Sequence, residues 1–280
     1  MRQVSAEQIA DLVADLCVEA SFKLPPDVTE ALVRAQAAET SARAKGILGQ
    51  ILENAKVAQR SHLPLCQDTG LVACFVRLGR EVELTGDLQA AVDEGVRKAY
   101  TSQPLRRSVL ANPLRRASNT GDNTPAIVHV ELVDGDGLEL AVLPKGGGSE
   151  NAGAVWMLPP AAGEDGIVDR IVGRVIEQGG KWCPPGIIGV GVGGTMEHAA
   201  FMAKAALLRP TGQPHREDQW AALEQRLLRE INATGIGPMG LGGDTTILAV
   251  HVEYHACHLA SLPVAACFQC HAARRATGSI

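Results

Sequence analysis

The densest chemistry in the chain lies in Leu63-Pro64-Leu65-Cys66-Gln67-Asp68-Thr69-Gly70, where a thiol, an amide, a carboxylate and a hydroxyl stand on consecutive residues closed by a glycine. Two later cysteines have comparable settings: Cys183 precedes Pro184-Pro185, and Cys270 lies in Gln269-Cys270-His271. All three fall at turns or element ends among polar or proline residues. The prolines after Cys183 withhold two backbone donors and stiffen the approach to its thiol. A thiolate forms at neutral pH only beside a positive neighbour or a metal, so three brought together require a metal centre. Zinc held by three cysteines takes a fourth ligand, for which Cys257, His258 and Cys267 are available. An iron-sulfur cubane held by three cysteines instead leaves one iron open as a Lewis acid for a hydroxyl and carboxylate. Spacing alone does not choose between them, although Cys267-Phe268-Gln269-Cys270 lacks the second close pair of a zinc site.

Other residues carry two readings each. Asp68 suits a turn cap as well as acid-base work, and His258 suits a satisfied core histidine as well as a proton carrier. The Arg106 fork matches a carboxylate bidentately, or is a solvated cation. In Lys145-Gly146-Gly147-Gly148-Ser149-Glu150-Asn151 three glycines forfeit packing and backbone entropy, which fits a close approach to the backbone and an anion nest, or else a flexible connector. Gly189, Gly191 and Gly194 formally satisfy a dinucleotide fingerprint. Two of them lie inside a predicted strand, however, and Glu217-Asp218 does not end a second one, so that reading is rejected.

The elements that must position these groups predict a mixed α/β (α+β) fold, with a helical amino-terminal region followed by β-sheets with flanking helices. Ser5 and Gln8 make a capping box before Ile9, Leu12, Val13 and Leu16. Pro25-Pro26 opens a second helix and Thr40 precedes a third, the helical front ending near Arg60. Strands are predicted over 71–78, 126–132, 138–143, 186–192 and 246–253, with Asp134-Gly135-Asp136-Gly137 as a hairpin turn. Helices are predicted after Asp87, over 167–176, from Thr195 towards Leu208, and over 217–232. The stretch 104–125 is a long polar loop of the kind that carries function. Cys17 lies beside the apolar stripe of the first helix and Cys74 in the first of these strands, and both are expected to be buried core residues. The whole of 1–280 is expected to form one catalytic domain, with any division into two lobes near 146–148.

Composition narrows the function. Of 280 residues 46% are hydrophobic and 3% aromatic, so the core is built of Ala, Val, Leu and Ile and needs no disulfide staples. A net charge of −5 supplies no basic field for nucleic acid. No apolar run reaches the roughly 20 residues of a spanning helix, and no signal core opens the chain. A cytoplasmic location with no membrane partner is expected, where seven cysteines stay reduced and those that matter are ligands or reactive thiols.

Five ordered stretches carry a resemblance: Leu65 to Gly70, Asn119-Thr120-Gly121-Asp122-Asn123-Thr124-Pro125-Ala126, Lys145 to Asn151, Cys183-Pro184-Pro185, and Gln269-Cys270-His271-Ala272-Ala273-Arg274-Arg275. Together they resemble the class I, iron-sulfur-dependent fumarate hydratases, in their amino-terminal region or separate α subunit, over nearly the whole chain. The resemblance implies a four-iron four-sulfur cluster held by Cys66, Cys183 and Cys270. It implies substrate contacts from Gln67, Arg106 and Gly148, with Asp68 and His258 as polar groups of binding or proton transfer. The activity it implies is a hydro-lyase of the tricarboxylic acid cycle, adding water reversibly to fumarate to give (S)-malate. Because the chain stops at Ile280, soon after Cys270, it implies an α subunit completed by a separate β subunit, two of each. The α subunit of tartrate dehydratase, which shares the cluster motif, is the alternative within the same chemistry. A non-catalytic iron-sulfur or zinc sensing module is the alternative outside it.

Overall fold

Ser5 caps the first helix from both directions: its hydroxyl accepts from Gln8 N at 3.2 Å, and the Gln8 side chain accepts from Ser5 N at 2.9 Å. In the computed structural model, which describes residues 2–280, the chain runs β1 (Arg2–Ser5), α1 (Ala6–Phe22), α2 (Pro26–Ala38), α3 (Ala42–Ser61), β2 (Leu71–Gly79), β3 (Val82–Thr85), α4 (Leu88–Ser102), β4 (Ile127–Val133) and β5 (Leu138–Lys145). It continues through α5 (Gly147–Asn151), β6 (Ala154–Leu158), α6 (Gly163–Gln178), β7 (Gly186–Gly193), α7 (Met196–Ala205), α8 (Asp218–Asn232), β8 (Ile247–His255), β9 (Leu262–Gln269) and β10 (Ala276–Ser279). The architecture is mixed α/β. No helix among the described residues is long and apolar enough to cross a membrane.

Two compact units divide the chain. One comprises Met1–Pro25, Asn54–Gly147 and Arg274–Ile280, the other Pro26–Glu53 and Gly148–Ala273. The chain passes from the first to the second between Gly147 and Gly148, and α2 with the start of α3 also belongs to the second.

In the first unit the sheet order is β10-β5-β2-β4. Side chains alternate across a strand, so Val72, Cys74 and Val76 of β2 point to one face. There they share a core with Leu138, Leu140 and Val142 of β5, Ile9, Val13 and Leu16 of α1, and Val92, Val96 and Tyr100 of α4. Cys17 and Cys74 are both fully buried in that core, as expected. The expected hairpin between β4 and β5 is not formed. β2 lies between them, parallel to β4 and antiparallel to β5. The Asp134–Gly137 turn wraps the end of β2 instead: Gly79 N donates to Gly137 O and Glu81 N to Gly135 O, and a Cβ on Gly79 would lie 2.3 Å from Gly135 O. Turn chemistry marks where the chain reverses, but a mostly buried strand takes the place between the two arms.

In the second unit the order is β6-β9-β7-β8. Every residue of β7 is buried, as a strand covered on both faces requires. Helix α7 seats directly on it, because a Cβ on Gly189 or Gly191 would lie 2.0 Å from Ala203 O or Ala199 O respectively. These glycines therefore serve helix-to-strand packing, which is the physical reason that the dinucleotide fingerprint is only formal. Beneath lies a core of Trp182, Phe268, Ile188, Val190, Ile171 and Leu227. The buried Glu224 carboxylate is matched by Arg209 Nη2 at 2.6 Å, Val252 N at 2.8 Å and His215 N at 2.9 Å, as a charge held out of water requires.

Gly189→Ala is expected to cost about 1–3 kcal/mol through overpacking. Gly173→Ala in α6, where nothing lies within 4 Å of the added Cβ, should instead stabilise by up to about 1 kcal/mol through helix propensity. Urea unfolding of the two variants checks both signs.

Candidate functional site

The register of the first sheet sets the site there. Leu71, the first residue of β2, pairs with Lys145, the last of β5, so the Cys66–Gly70 turn that leads into β2 meets the glycine run that leaves β5. Gly70 makes the meeting possible: its φ is +81°, and a Cβ would lie 2.6 Å from Lys145 C and O. Asp68 then bridges the two segments. Its Oδ2 accepts from Gly147 N at 2.7 Å and its Oδ1 from Gly70 N at 3.1 Å.

Side chains from several elements hold the main-chain carbonyls of this turn. Asn54 Nδ2 donates to Leu65 O at 2.9 Å and Arg274 Nη1 to Asp68 O at 2.7 Å. The Tyr100 hydroxyl donates to Thr69 O at 2.7 Å, and Asn123 Nδ2 donates to Gly70 O at 3.0 Å. Thr69 Oγ1 donates to Arg106 O at 2.8 Å, which ties the start of the 104–125 loop to the turn and leaves the Arg106 side chain exposed. The loop is itself ordered by hydrogen bonds: Asn123 Oδ1 accepts from Ser108 N, Asn119 Nδ2 donates to Arg107 O, and Leu110 bridges Asn119. Cys66, Gln67, Asp68 and Arg106 are thus presented together on the first unit, Cys66 and Asp68 half-buried and Gln67 exposed.

The second unit brings Cys183, Cys270 and Gly148 together. Cys183 adopts a φ of +58° and is followed by a cis Pro184-Pro185 bond. Its N–H donates to Gly180 O at 3.0 Å, and its carbonyl accepts from His271 N at 3.1 Å. β7 begins at Gly186 and β9 ends at Gln269, with Ile187 opposite Gln269, so the two cysteines flank the same end of the sheet. Gly186 lets the strands close there, since a Cβ would meet Gln269 O. A Cβ on Gly148 would lie 3.3 Å from Lys181 O, which sets the glycine against the turn that carries Cys183.

His258 is not brought to these residues within its own chain. It follows β8, whose last residue His255 pairs with Gly193 at the opposite end of β7, and β9 intervenes before Cys270. Eight strand residues span about 25 Å, so nearness in sequence does not become nearness in space. His258 is exposed, and its Nδ1 accepts from Ala260 N at 3.1 Å, which is neither a buried core position nor one beside Cys270.

Thiol exposure sorts the cysteines. Cys66, Cys183 and Cys270 are half-buried, Cys17, Cys74 and Cys267 are buried, and Cys257 is exposed. Three thiols near the surface at element ends fit the donor chemistry of an iron-sulfur group. Cys66 belongs to one unit and Cys183 with Cys270 to the other, and among the described residues no group of three or more His, Cys, Asp or Glu side chains is arranged to hold a metal ion. The residues that sequence reasoning missed are the holders of the turn. Arg274 and Asn123 lie inside motifs already singled out but were given no role, while Asn54 and Tyr100 carry no local signal, because only the fold brings α3 and α4 to the turn.

A family model described as fumarate hydratase (Fumerase) matches residues 10–279. A provisionally named L(+)-tartrate dehydratase subunit alpha of Methanocaldococcus jannaschii is 43% identical over 276 residues, covering 96% of each chain. The L(+)-tartrate dehydratase subunits alpha of Escherichia coli (strain K12) and Shigella sonnei are each 33% identical over 278 residues, covering 99% of this chain and 92% of theirs.

Burial pushes the Cys74 thiol up to about 12; the Cys17 thiol is raised as well, first by burial and then by the neighbouring Cys74. Buried and held protonated, they should be spared by iodoacetamide at pH 8, which peptide mass mapping of the folded, cluster-free chain should find on Cys66, Cys183, Cys257 and Cys270. A folded pKa above the ordinary 9.0 means that the unfolded thiol ionises first. The stability these groups contribute is therefore fully present below pH 9.0 and is lost as pH rises towards about 12.

Proposed function

This chain belongs to the fumarate hydratase (Fumerase) family, and from that premise we propose that it is the α subunit of an iron-sulfur-dependent hydro-lyase that hydrates fumarate to (S)-malate and reverses the reaction. The observation that carries this reading is the Cys66–Gly70 turn. It offers a thiol, an amide and a carboxylate on a main chain whose carbonyls are held by Asn54, Arg274, Tyr100 and Asn123, the rigidity a reacting geometry needs.

Cys66, Cys183 and Cys270 would hold a four-iron four-sulfur cluster, which when bound supplies an open iron as Lewis acid to a substrate hydroxyl. The chain's own residues bind and orient. The Arg106 guanidinium, exposed at the start of its loop, pairs with a substrate carboxylate, and Gln67 donates an amide hydrogen bond. Gly148 presents backbone without a side chain, which admits a dicarboxylate close to the main chain. Asp68, fixed by Gly70 N and Gly147 N, moves the proton at the carbon that gains or loses it, as general acid in hydration and general base in dehydration. Water adds as hydroxyl at one alkene carbon and proton at the other, so no further reactant is consumed. His258, at the opposite end of its sheet from Cys183 and Cys270, is given no step here.

The relatives are named as alpha subunits, which supports a separate β subunit completing the site, with two of each chain as the expected assembly. Their names also favour a second reading, L(+)-tartrate as substrate. Tartrate carries a hydroxyl on each central carbon, so loss of one water leaves an enol that rearranges to a 2-oxo diacid. The two readings differ in whether the site provides a hydrogen-bond partner for that extra hydroxyl, a group that specificity turns on when it is left unpaired.

Anaerobic co-expression with the β subunit, then initial rates on malate, fumarate and L(+)-tartrate, tests both. A higher kcat/KM on malate and fumarate is expected; a higher value on tartrate replaces the substrate assignment, and no turnover of any of them by cluster-loaded protein removes the hydro-lyase reading. Cys183→Ser should abolish the visible iron-sulfide absorption of the reconstituted protein, and Cys17→Ser should preserve it. Zinc retained in place of that absorption would overturn the cluster assignment.

A further inference from the structure

We propose that Arg274 is the positioning residue that sets the Asp68–Thr69 main chain, and with it Asp68, for the reaction, an inference that rests on the hydro-lyase reading above. Arg274 is 2% exposed, and a guanidinium held that far from water is costly unless its donors and charge are matched by partners. Its Nη1 donates to Asp68 O at 2.7 Å, fixing the peptide that follows the Asp68 side chain. The same Asp68 spends both carboxylate oxygens on backbone N–H groups, Gly70 and Gly147. Arg274 thus holds the main-chain carbonyl of Asp68 while the Asp68 carboxylate closes on the glycine run, so the residue is tied at both its backbone and its side chain.

Gly146 supplies an independent observation. A Cβ there would lie 3.1 Å from Asp68 Oδ2 and 3.3 Å from Arg274 Nη2, so both charged groups converge on one bare stretch of backbone. A side chain at Gly146 would crowd both groups, so bare backbone there suits their close approach. Arg274 touches no reacting atom in this arrangement; it acts through Asp68. Losing it should therefore misplace the proton-transfer group more than it weakens substrate binding.

The test compares Arg274→Met, Arg274→Lys, Asp68→Asn and the Met/Asn double variant in the assembled α and β protein, by amide hydrogen exchange and by kcat and KM. Arg274→Met is expected to speed exchange in peptides covering 66–70 and 145–149 and to leave those of β7 unchanged. It should lower kcat by about 100-fold with KM held within about threefold. Arg274→Lys, which keeps a charged donor on a less suitable head, should recover to within about tenfold of the parent. In the Asp68→Asn background Arg274→Met should add no further loss, because the two act as one unit. Unchanged exchange at 66–70 in a folded Arg274→Met protein overturns the proposal, as does a loss that multiplies in the Asp68→Asn background. If Arg274→Met does not fold, Gly146→Ala crowds the same contact and is expected to show the same exchange pattern; a silent Gly146→Ala counts against it. Should the parent turn over neither malate nor tartrate, the hydro-lyase reading fails alone, and the exchange pattern still decides the role of Arg274.

Discussion

The antiparallel register between β2 and β5, with Leu71 opposite Lys145, is the constraint on which the first unit's share of the site depends. A shift of one residue would turn every side chain of β2 to the other face and expose Val72, Cys74 and Val76, so core burial locks the register. The register in turn carries the Cys66–Gly70 turn to the glycine run, where Gly70 allows contact with Lys145 and Asp68 closes on Gly147 N. Packing energy in the core is thereby converted into the placement of polar groups at the strand ends.

The second unit solves a similar problem with bare backbone. Gly186 lets β7 and β9 close at the end that carries Cys183 and Cys270, while Gly189 and Gly191 let α7 lie on β7. A strand with so little side chain gains little from its own packing, and the aromatic and aliphatic core beneath it, Trp182 and Phe268 foremost, supplies the burial. The left-handed backbone of Cys183 is held there by Gly180 O and His271 N. A non-glycine residue in that region is costly unless its surroundings over-determine it, and the hydrogen bonds at both ends of the residue do so.

Polar satisfaction distinguishes the site turn from an ordinary loop. The carbonyls of Leu65, Asp68, Thr69 and Gly70 are met by side chains from α3, the segment after β9, α4 and the 104–125 loop. Such a network is rigid because each member is spoken for by a separate element, and removing one leaves a buried acceptor unmet. The same logic explains why the long loop is ordered without regular structure: Asn119 and Asn123 replace a strand ladder with side-chain bonds.

Much of this was legible beforehand, for a physical reason. Periodicity located α1, β2, α4, α6, β7 and α8, because local burial patterns are written residue by residue; the capping box at Ser5 and Gln8 was readable for the same reason. Cysteine setting separated Cys66, Cys183 and Cys270 from the core thiols Cys17 and Cys74, since turn residues and prolines are visible as neighbours in the chain. Strand order was not legible: the Asp134–Gly137 turn promised a hairpin, and β2 took the middle place through contacts made far along the chain. Nor was the distance between His258 and Cys270, which an intervening strand sets, or the work of Arg274 and Tyr100, whose partners lie many residues away. The sequence by itself determined which groups could do chemistry and where the chain turns, because those depend on residue type and near neighbours. Tertiary structure alone decided which of those groups meet, because that depends on strand register and burial across the whole of each unit.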